Sequence, residues 1–121
     1  MDRVESYRQI VQSLLTAYAA IPIANGKIDC YTVFDTTQDR YLVMNVGWDG
    51  DRREYGGVLH LEIKKGKIWV EQNMTEMRVA QELVERGVEK EDIVLGFQAP
   101  ETREYTCLLY TSDAADDLVG V

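Results

Sequence analysis

Apolar residues near the start of the chain recur at three- and four-residue steps: Val4, Tyr7, Val11, Leu14 and Tyr18, with Ile10 and Leu15 widening the stripe. That spacing lines one face of a helix and predicts an amphipathic α-helix from about Asp2 to Ala20. Ile21-Pro22 should end it, because the residue before a proline is pushed out of the α region. Asn25-Gly26 signals a turn. Beyond it the helical period gives way to short strands. Cys30-Tyr31-Thr32-Val33-Phe34 is β-branched and aromatic, Asp35 to Asp39 turns the chain, and Tyr41 to Val46 returns as the second arm of a hairpin. Trp48-Asp49-Gly50-Asp51-Arg52-Arg53 reads as a charged loop. Val58 to Ile63 then alternates, with Leu59, Leu61 and Ile63 on one face and His60 and Glu62 on the other. Lys64-Lys65-Gly66-Lys67 is a tight turn into Ile68-Trp69-Val70-Glu71.

A second helix follows, with Val79, Ala80, Leu83 and Val84 as its apolar positions. Asn73 or Thr75 is suited to cap its start, and Gly87 falls where a left-handed C-terminal cap belongs. The acidic Glu89-Lys90-Glu91-Asp92 loop leads to a short strand at Ile93-Val94-Leu95-Gly96-Phe97. The order α-β-β-β-β-α-β predicts an α+β fold: a four-stranded antiparallel meander with helices on one face and a short final strand. Neither repeats nor low-complexity linkers divide the chain.

With 121 residues there is one core to build, not two. No stretch approaches the roughly 18 apolar residues of a membrane span. The charged opening Met1-Asp2-Arg3-Val4-Glu5-Ser6 is not a signal peptide, so the cytoplasm is the expected compartment. Net charge is −8 with scattered bases, whereas a protein that tracks phosphates wants clustered Lys and Arg. The balance favours a protein partner over nucleic acid and leaves direct DNA contact and homo-oligomerisation open.

The last fifteen residues change this accounting. Cys107-Leu108-Leu109-Tyr110-Thr111-Ser112-Asp113-Ala114-Ala115-Asp116-Asp117 is similar, residue for residue, to a translated transposase-type sequencing adapter. The expected division is therefore a domain over 1–106 and a non-native tail over 107–121. Setting aside Asp113, Asp116 and Asp117 leaves 18 acids against 13 bases, a net charge of −5. Cys107 goes with them, and Cys30 stands as a lone thiol that reads as a small buried hydrophobe.

Candidate chemistry is sparse. A Ser-His-Asp or Cys-His device needs a histidine base, and His60 is the one histidine. On the polar face of its strand it reads as structural or solvated. One His and one native Cys cannot fill a tetrahedral zinc site, and no cofactor motif is present. Restriction-type nucleases place an Asp on one strand and Glu-x-Lys on the next, the carboxylates holding a divalent metal. Asp49 or Asp51 followed by Glu62-Ile63-Lys64 fits that outline, although Glu62 and Lys64 equally form the solvated side of a half-buried strand. Gly47, Gly50, Gly56 and Gly57 form no phosphate cradle and suit turns and a bulge. Trp48, Arg52, Arg53 and Tyr55 combine aromatic and basic groups in the makeup of protein-interface hot spots, which single-stranded nucleic acid can also use.

The order of phrases carries a resemblance. Tyr7-Arg8-Gln9-Ile10-Val11 with Leu14-Leu15, Tyr31 to Asp35, Tyr41 to Trp48, Arg53 to Gly56, Leu59-His60-Leu61 and Gly66 to Val70 together resemble the XisI family of fdxN element excision controlling factors. Thr75-Glu76, Ala80 to Leu83, Gly87-Val88, Lys90 to Leu95, and then Pro100, Arg103, Tyr105 and Thr106 continue the likeness. Asn73-Met74 departs from it, standing where the family more often has an Asp-Gly turn, and the ending after Thr106 departs as well. The resemblance implies developmentally regulated excision of a DNA element in cyanobacterial heterocysts, beside a site-specific recombinase and a nuclease-like companion, XisH. It implies no catalytic residue. The expected role is a non-enzymatic accessory factor acting through a protein partner. The alternatives are an antitoxin-like regulator that restrains an XisH-type nuclease and, more remotely, a metal-dependent nuclease.

Overall fold

A computed structural model describes residues 2–21 and 27–98. Helix α1 runs Arg3–Ala19, with the Asp2 side chain accepting a hydrogen bond from the Val4 amide at its start. Four strands follow: β1 Lys27–Asp35, β2 Arg40–Asp49, β3 Arg52–Lys64 and β4 Lys67–Asn73. Helix α2 spans Val79–Glu85, and after a short 3-10 turn at Lys90–Asp92 strand β5, Ile93–Leu95, closes the described fold. Spatial order equals chain order, β1-β2-β3-β4-β5, with β5 added parallel to β4 through Ile68–Ile93 and Val70–Leu95. The α+β expectation holds, extended into a five-stranded mixed sheet. Pro22, the Asn25-Gly26 turn and the adapter-like tail lie outside the described residues.

One face of the sheet carries the core. Tyr41, Val43, Leu59, Leu61, Ile63, Ile68, Val70, Ile93 and Leu95 are buried there against Tyr7, Val11, Leu14 and Leu15 of α1 and Val79, Ala80 and Leu83 of α2. The strict alternation of Leu59, Leu61 and Ile63 follows from the two-residue period of a strand with one wet face.

Three local readings are corrected. Trp48 to Arg53 is not a loop: β2 and β3 stay paired to Asp49–Arg52, and Gly50-Asp51 alone makes the turn. Gly50 has φ +66°, the conformation a two-residue hairpin asks of its first turn position. Helix α2 starts at Val79 with no side-chain cap, because Asn73 and Thr75 are occupied earlier. Asn73 Oδ1 accepts from the Thr75 amide and hydroxyl, Asn73 Nδ2 donates to the Met77 carbonyl, and Thr75 Oγ1 accepts from the Met77 amide. These side-chain bonds hold a loop, the conformation with which Asn and Thr compete against helix. The final strand stops at Leu95, two residues short of Phe97. Gly87, by contrast, does cap α2: its φ is +109°, its amide donates to Val84, and the Val88 amide donates to Leu83, the paired bonds of a Schellman end.

Two polar clusters fasten α1. Tyr7 Oη donates to Asp92 Oδ2 at 2.6 Å, beside Arg3 Nη1 at 2.9 Å. Arg8 meets Asp39 in a two-pronged pair, Nε–Oδ1 at 2.8 Å and Nη2–Oδ2 at 3.1 Å, and Tyr41 Oη donates to the same Oδ1. The Arg8 hydrogen bonds hold the Asp39 carboxyl below its ordinary range, outweighing the opposing effect of burial. A depressed carboxylate stabilises the fold above its unfolded pKa of about 4, and that contribution fades as pH falls through the folded value. Arg8→Met is therefore expected to destabilise the protein at neutral pH and to lose its deficit relative to the parent below about pH 4. Denaturation midpoints measured from pH 7 downward check this; a deficit constant with pH would detach Arg8 from Asp39.

Candidate functional site

The face of the sheet opposite the helices carries the candidate site. Because side chains alternate, it receives Lys27, Asp29, Tyr31 and Val33 from β1, Leu42, Met44, Val46 and Trp48 from β2, and Arg53, Tyr55, His60, Glu62 and Lys64 from β3. No described helix covers it. Val58 is the extra residue of a bulge, since Val43 pairs with Leu59 but Met44 with Gly57. The bulge resets the parity, so that Tyr55 and His60 share this outer face although five positions apart.

At the hairpin end, Trp48 lies opposite Arg53 and Val46 opposite Tyr55. The Arg53 guanidinium sits 5.4 Å from the Trp48 ring centre and 5.8 Å from that of Tyr55, held between two aromatic faces. Trp48 is 49% exposed and Tyr55 69%. Large rings at that exposure, locked to a cation on paired strands rather than a loop, form a rigid amphipathic ridge.

Arg52 does not belong to it. Its side chain points to the helix side of the sheet, where it pairs with Glu54, and that acid raises its pKa. Of the four residues grouped in the sequence, the structure brings Trp48, Arg53 and Tyr55 together and separates Arg52. Parity in a strand decides the matter, and it became readable only once the turn was fixed at Gly50-Asp51.

The nuclease-like set is divided more widely. Glu62 and Lys64 share the outer face, 3.7 Å apart, and Glu62 also meets His60 Nε2 at 2.9 Å and Arg40 Nε at 3.9 Å. Lys64 Nζ lies 3.2 Å from Glu71 and 4.3 Å from the Trp69 ring centre. Asp49 stands at the other end of the ladder, opposite Arg52, with Asp51 in the turn beside it. Ten residues of β3 separate that end from Glu62, about 33 Å at roughly 3.3 Å per residue. Among the described residues no three His, Cys, Asp or Glu side chains gather as a metal-holding group. His60 is half-buried and bonded to Glu62, in a charged lattice with Lys64, Glu71 and Arg40. Cys30 is half-buried on the inner face, and burial pushes its thiol up, away from nucleophilic use. No described helix is long and apolar enough to cross a membrane.

Sequence reasoning did not find the apolar run beside the aromatic ridge. Tyr31 and Val33, each 45% exposed, flank Leu42, Met44 and Val46 on adjoining strands. The hairpin reading contained all five, and their alternation with half-buried Cys30, Thr32 and Phe34 and with buried Tyr41 and Val43 was the available signal.

Comparison with known proteins agrees with this architecture. No curated protein matches the chain significantly. A crystal structure of a XisI-like protein from Anabaena variabilis ATCC 29413 is 45% identical, covers 86% of this chain and 94% of its own, and superposes with a TM-score of 0.79. A second, of the fdxN element excision controlling factor XisI from the same organism, is 31% identical with a TM-score of 0.71, covering 84% of this chain and 99% of its own. The family model described as XisI protein matches residues 1–108, and with the helix-meander-helix-strand order in place the chain belongs to the XisI family.

Proposed function

We propose that the chain is a non-catalytic accessory factor controlling excision of a DNA element, and that it acts by holding a protein partner on the outer face of its sheet. The exposed Trp48–Arg53–Tyr55 ridge carries this reading. Trp, Tyr and Arg are the residues in which binding energy concentrates, and the ridge continues into apolar Val46, Met44 and Tyr31 on the same face. The acidic balance, −5 once the adapter-like tail is set aside, supports a protein partner over a phosphate backbone. The excision role rests on the name of the 31% identical structure, a controlling factor for the fdxN element. The expected partner is an XisH-type nuclease-like protein in the cytoplasm.

Co-expression with such a companion and co-purification test the reading. Trp48→Ala or Arg53→Ala is expected to weaken the complex by about 2 kcal/mol, roughly thirtyfold in Kd. Arg52→Ala, on the opposite face, should leave Kd within about twofold, since truncation outside the contact is near neutral. No complex at all would sink the partner reading. Equal losses at Arg52 and Arg53 would remove the ridge as the interface. A restriction-like activity lost in Glu62→Ala would instead favour the nuclease, and DNA affinity falling steeply with salt would favour direct contact.

A further inference from the structure

β1 is the edge of the sheet, and among the described residues no strand lies against its outer side. It is nine residues long, regular along its whole pairing with β2, and free of proline, glycine and bulges. Such an edge is a template for another strand unless it is blunted. We propose that the chain forms a two-fold dimer by antiparallel pairing of β1 with β1 of a second copy, centred on Tyr31.

The register follows from the residues. A two-fold axis through Tyr31 sets every position of Lys27–Asp35 opposite another, with no overhang. Lys27 then faces Asp35 of the second copy twice over, once at each end of the seam. Ile28 faces Phe34 and Cys30 faces Thr32 on the helix side, which joins the two cores. Tyr31 meets Tyr31 on the outer side, and Asp29 opposite Val33 is the one pair without complementarity. Moving the axis by one residue removes the match in either direction. Through Thr32, Asp29 faces Asp35, a repulsion counted twice; through Cys30, Lys27 faces Val33 and Asp35 has no partner within the strand. Opposite charges directly across strands attract and like charges destabilise, so the Tyr31 register is selected.

Asp35 remains available for this contact. Its Oδ1 accepts from the Thr37 and Gln38 amides in the turn, and its other oxygen serves Lys27 of the second copy. A seam of nine residues is a small interface, so the dimer forms reversibly with concentration. It does not rest on the partner reading: Trp48 on β2 and Arg53 and Tyr55 on β3 lie inward of β1, and edge-to-edge pairing leaves their outer face uncovered.

Sedimentation equilibrium of the full chain over a micromolar concentration series is expected to show mass rising toward twice the monomer. Cysteine pairing then reads the register, in a Cys30→Ala, Cys107→Ala background. Directly opposed residues in an antiparallel pair lie about 4.5–5.5 Å apart at Cα, inside the disulfide range. Tyr31→Cys should therefore form a homodisulfide in air. Asp29→Cys alone should not, since its two copies lie about 13 Å apart, but should bridge when mixed with Val33→Cys. All three positions are exposed, so the variants keep the core. Lys27→Glu should weaken dimerisation about tenfold by turning two attractive pairs repulsive. A monomer at every concentration overturns the proposal, as does a dimer in which Tyr31→Cys fails to cross-link or Asp29→Cys links to itself.

Discussion

Gly47→Ala is expected to destabilise the fold by about 3 kcal/mol, the upper end of what overpacking costs. A Cβ at Gly47 would overlap the Lys27 carbonyl oxygen and fall 2.6 Å from Ile28 Cα and 2.9 Å from the Lys27 carbonyl carbon. These are backbone atoms, so no side chain can swing aside. The first residues of β1 must move off β2, and the Lys27–Trp48 and Ile28–Gly47 pairs go with them. Gly56, one strand over, has nothing within 4 Å of its would-be Cβ, and Gly56→Ala is expected to be near neutral. Denaturant midpoints of the two variants make the comparison. Equal midpoints would show that β1 yields at no cost.

Leu61→Ala carries the other large effect, about 2–5 kcal/mol. Leu61 has no exposed surface, sits on the middle strand, and is flanked across the ladder by Tyr41 of β2 and Val70 of β4, both also buried. The side chain faces the layer formed by the helices, so its loss opens a cavity enclosed from every side. The cost depends on how far that cavity can collapse, and the hydrogen-bonded strands on both sides resist it. His60→Ala, one residue away on the outer face, offers the contrast: it loses one half-buried hydrogen bond to Glu62 but opens no core cavity, at a cost of about 1 kcal/mol. Unfolding in urea monitored at Trp48 and Trp69 distinguishes the two, and a Leu61→Ala loss below about 1 kcal/mol would place that face outside the core.

Much of this was legible because burial leaves a period in the sequence. Tyr7, Val11, Leu14 and Leu15 mark the helix face, and Leu59, Leu61 and Ile63 mark the inner side of β3. The pattern fails where burial does. At the hairpin tip the strands continue with exposed side chains, so Trp48 to Arg53 shows no alternation and reads as a loop although the backbone ladder runs on to Asp49–Arg52. The bulge at Val58 hides in the same way: it shifts parity without changing composition, and only the pairing of Met44 with Gly57 reveals it. Asn73 and Thr75 are good caps by residue type, yet their side chains bond one another's loop first, a choice made by local geometry rather than propensity. For the site, residue type nominated Trp48, Arg53 and Tyr55 correctly as neighbours but could not separate Arg52, whose facing depends on a two-residue turn. The parallel placement of β5 on β4 was not foreseen either, since a three-residue strand carries too few positions to declare its direction.

The hydrogen bond from Tyr7 to Asp92 spans 85 positions of chain. At roughly 5–20 residues per second, a ribosome makes the second partner about 4–17 s after the first. The β1 to β4 meander joins chain neighbours and can pair as it emerges, in microseconds to milliseconds by comparison. The opening helix has its apolar face early but its polar anchor last. During synthesis the molecule thus passes through a stage in which a four-stranded meander carries a helix fastened at Asp39 and still loose at its first turn, and the Lys90–Asp92 turn that leads into the final strand is what ends that stage.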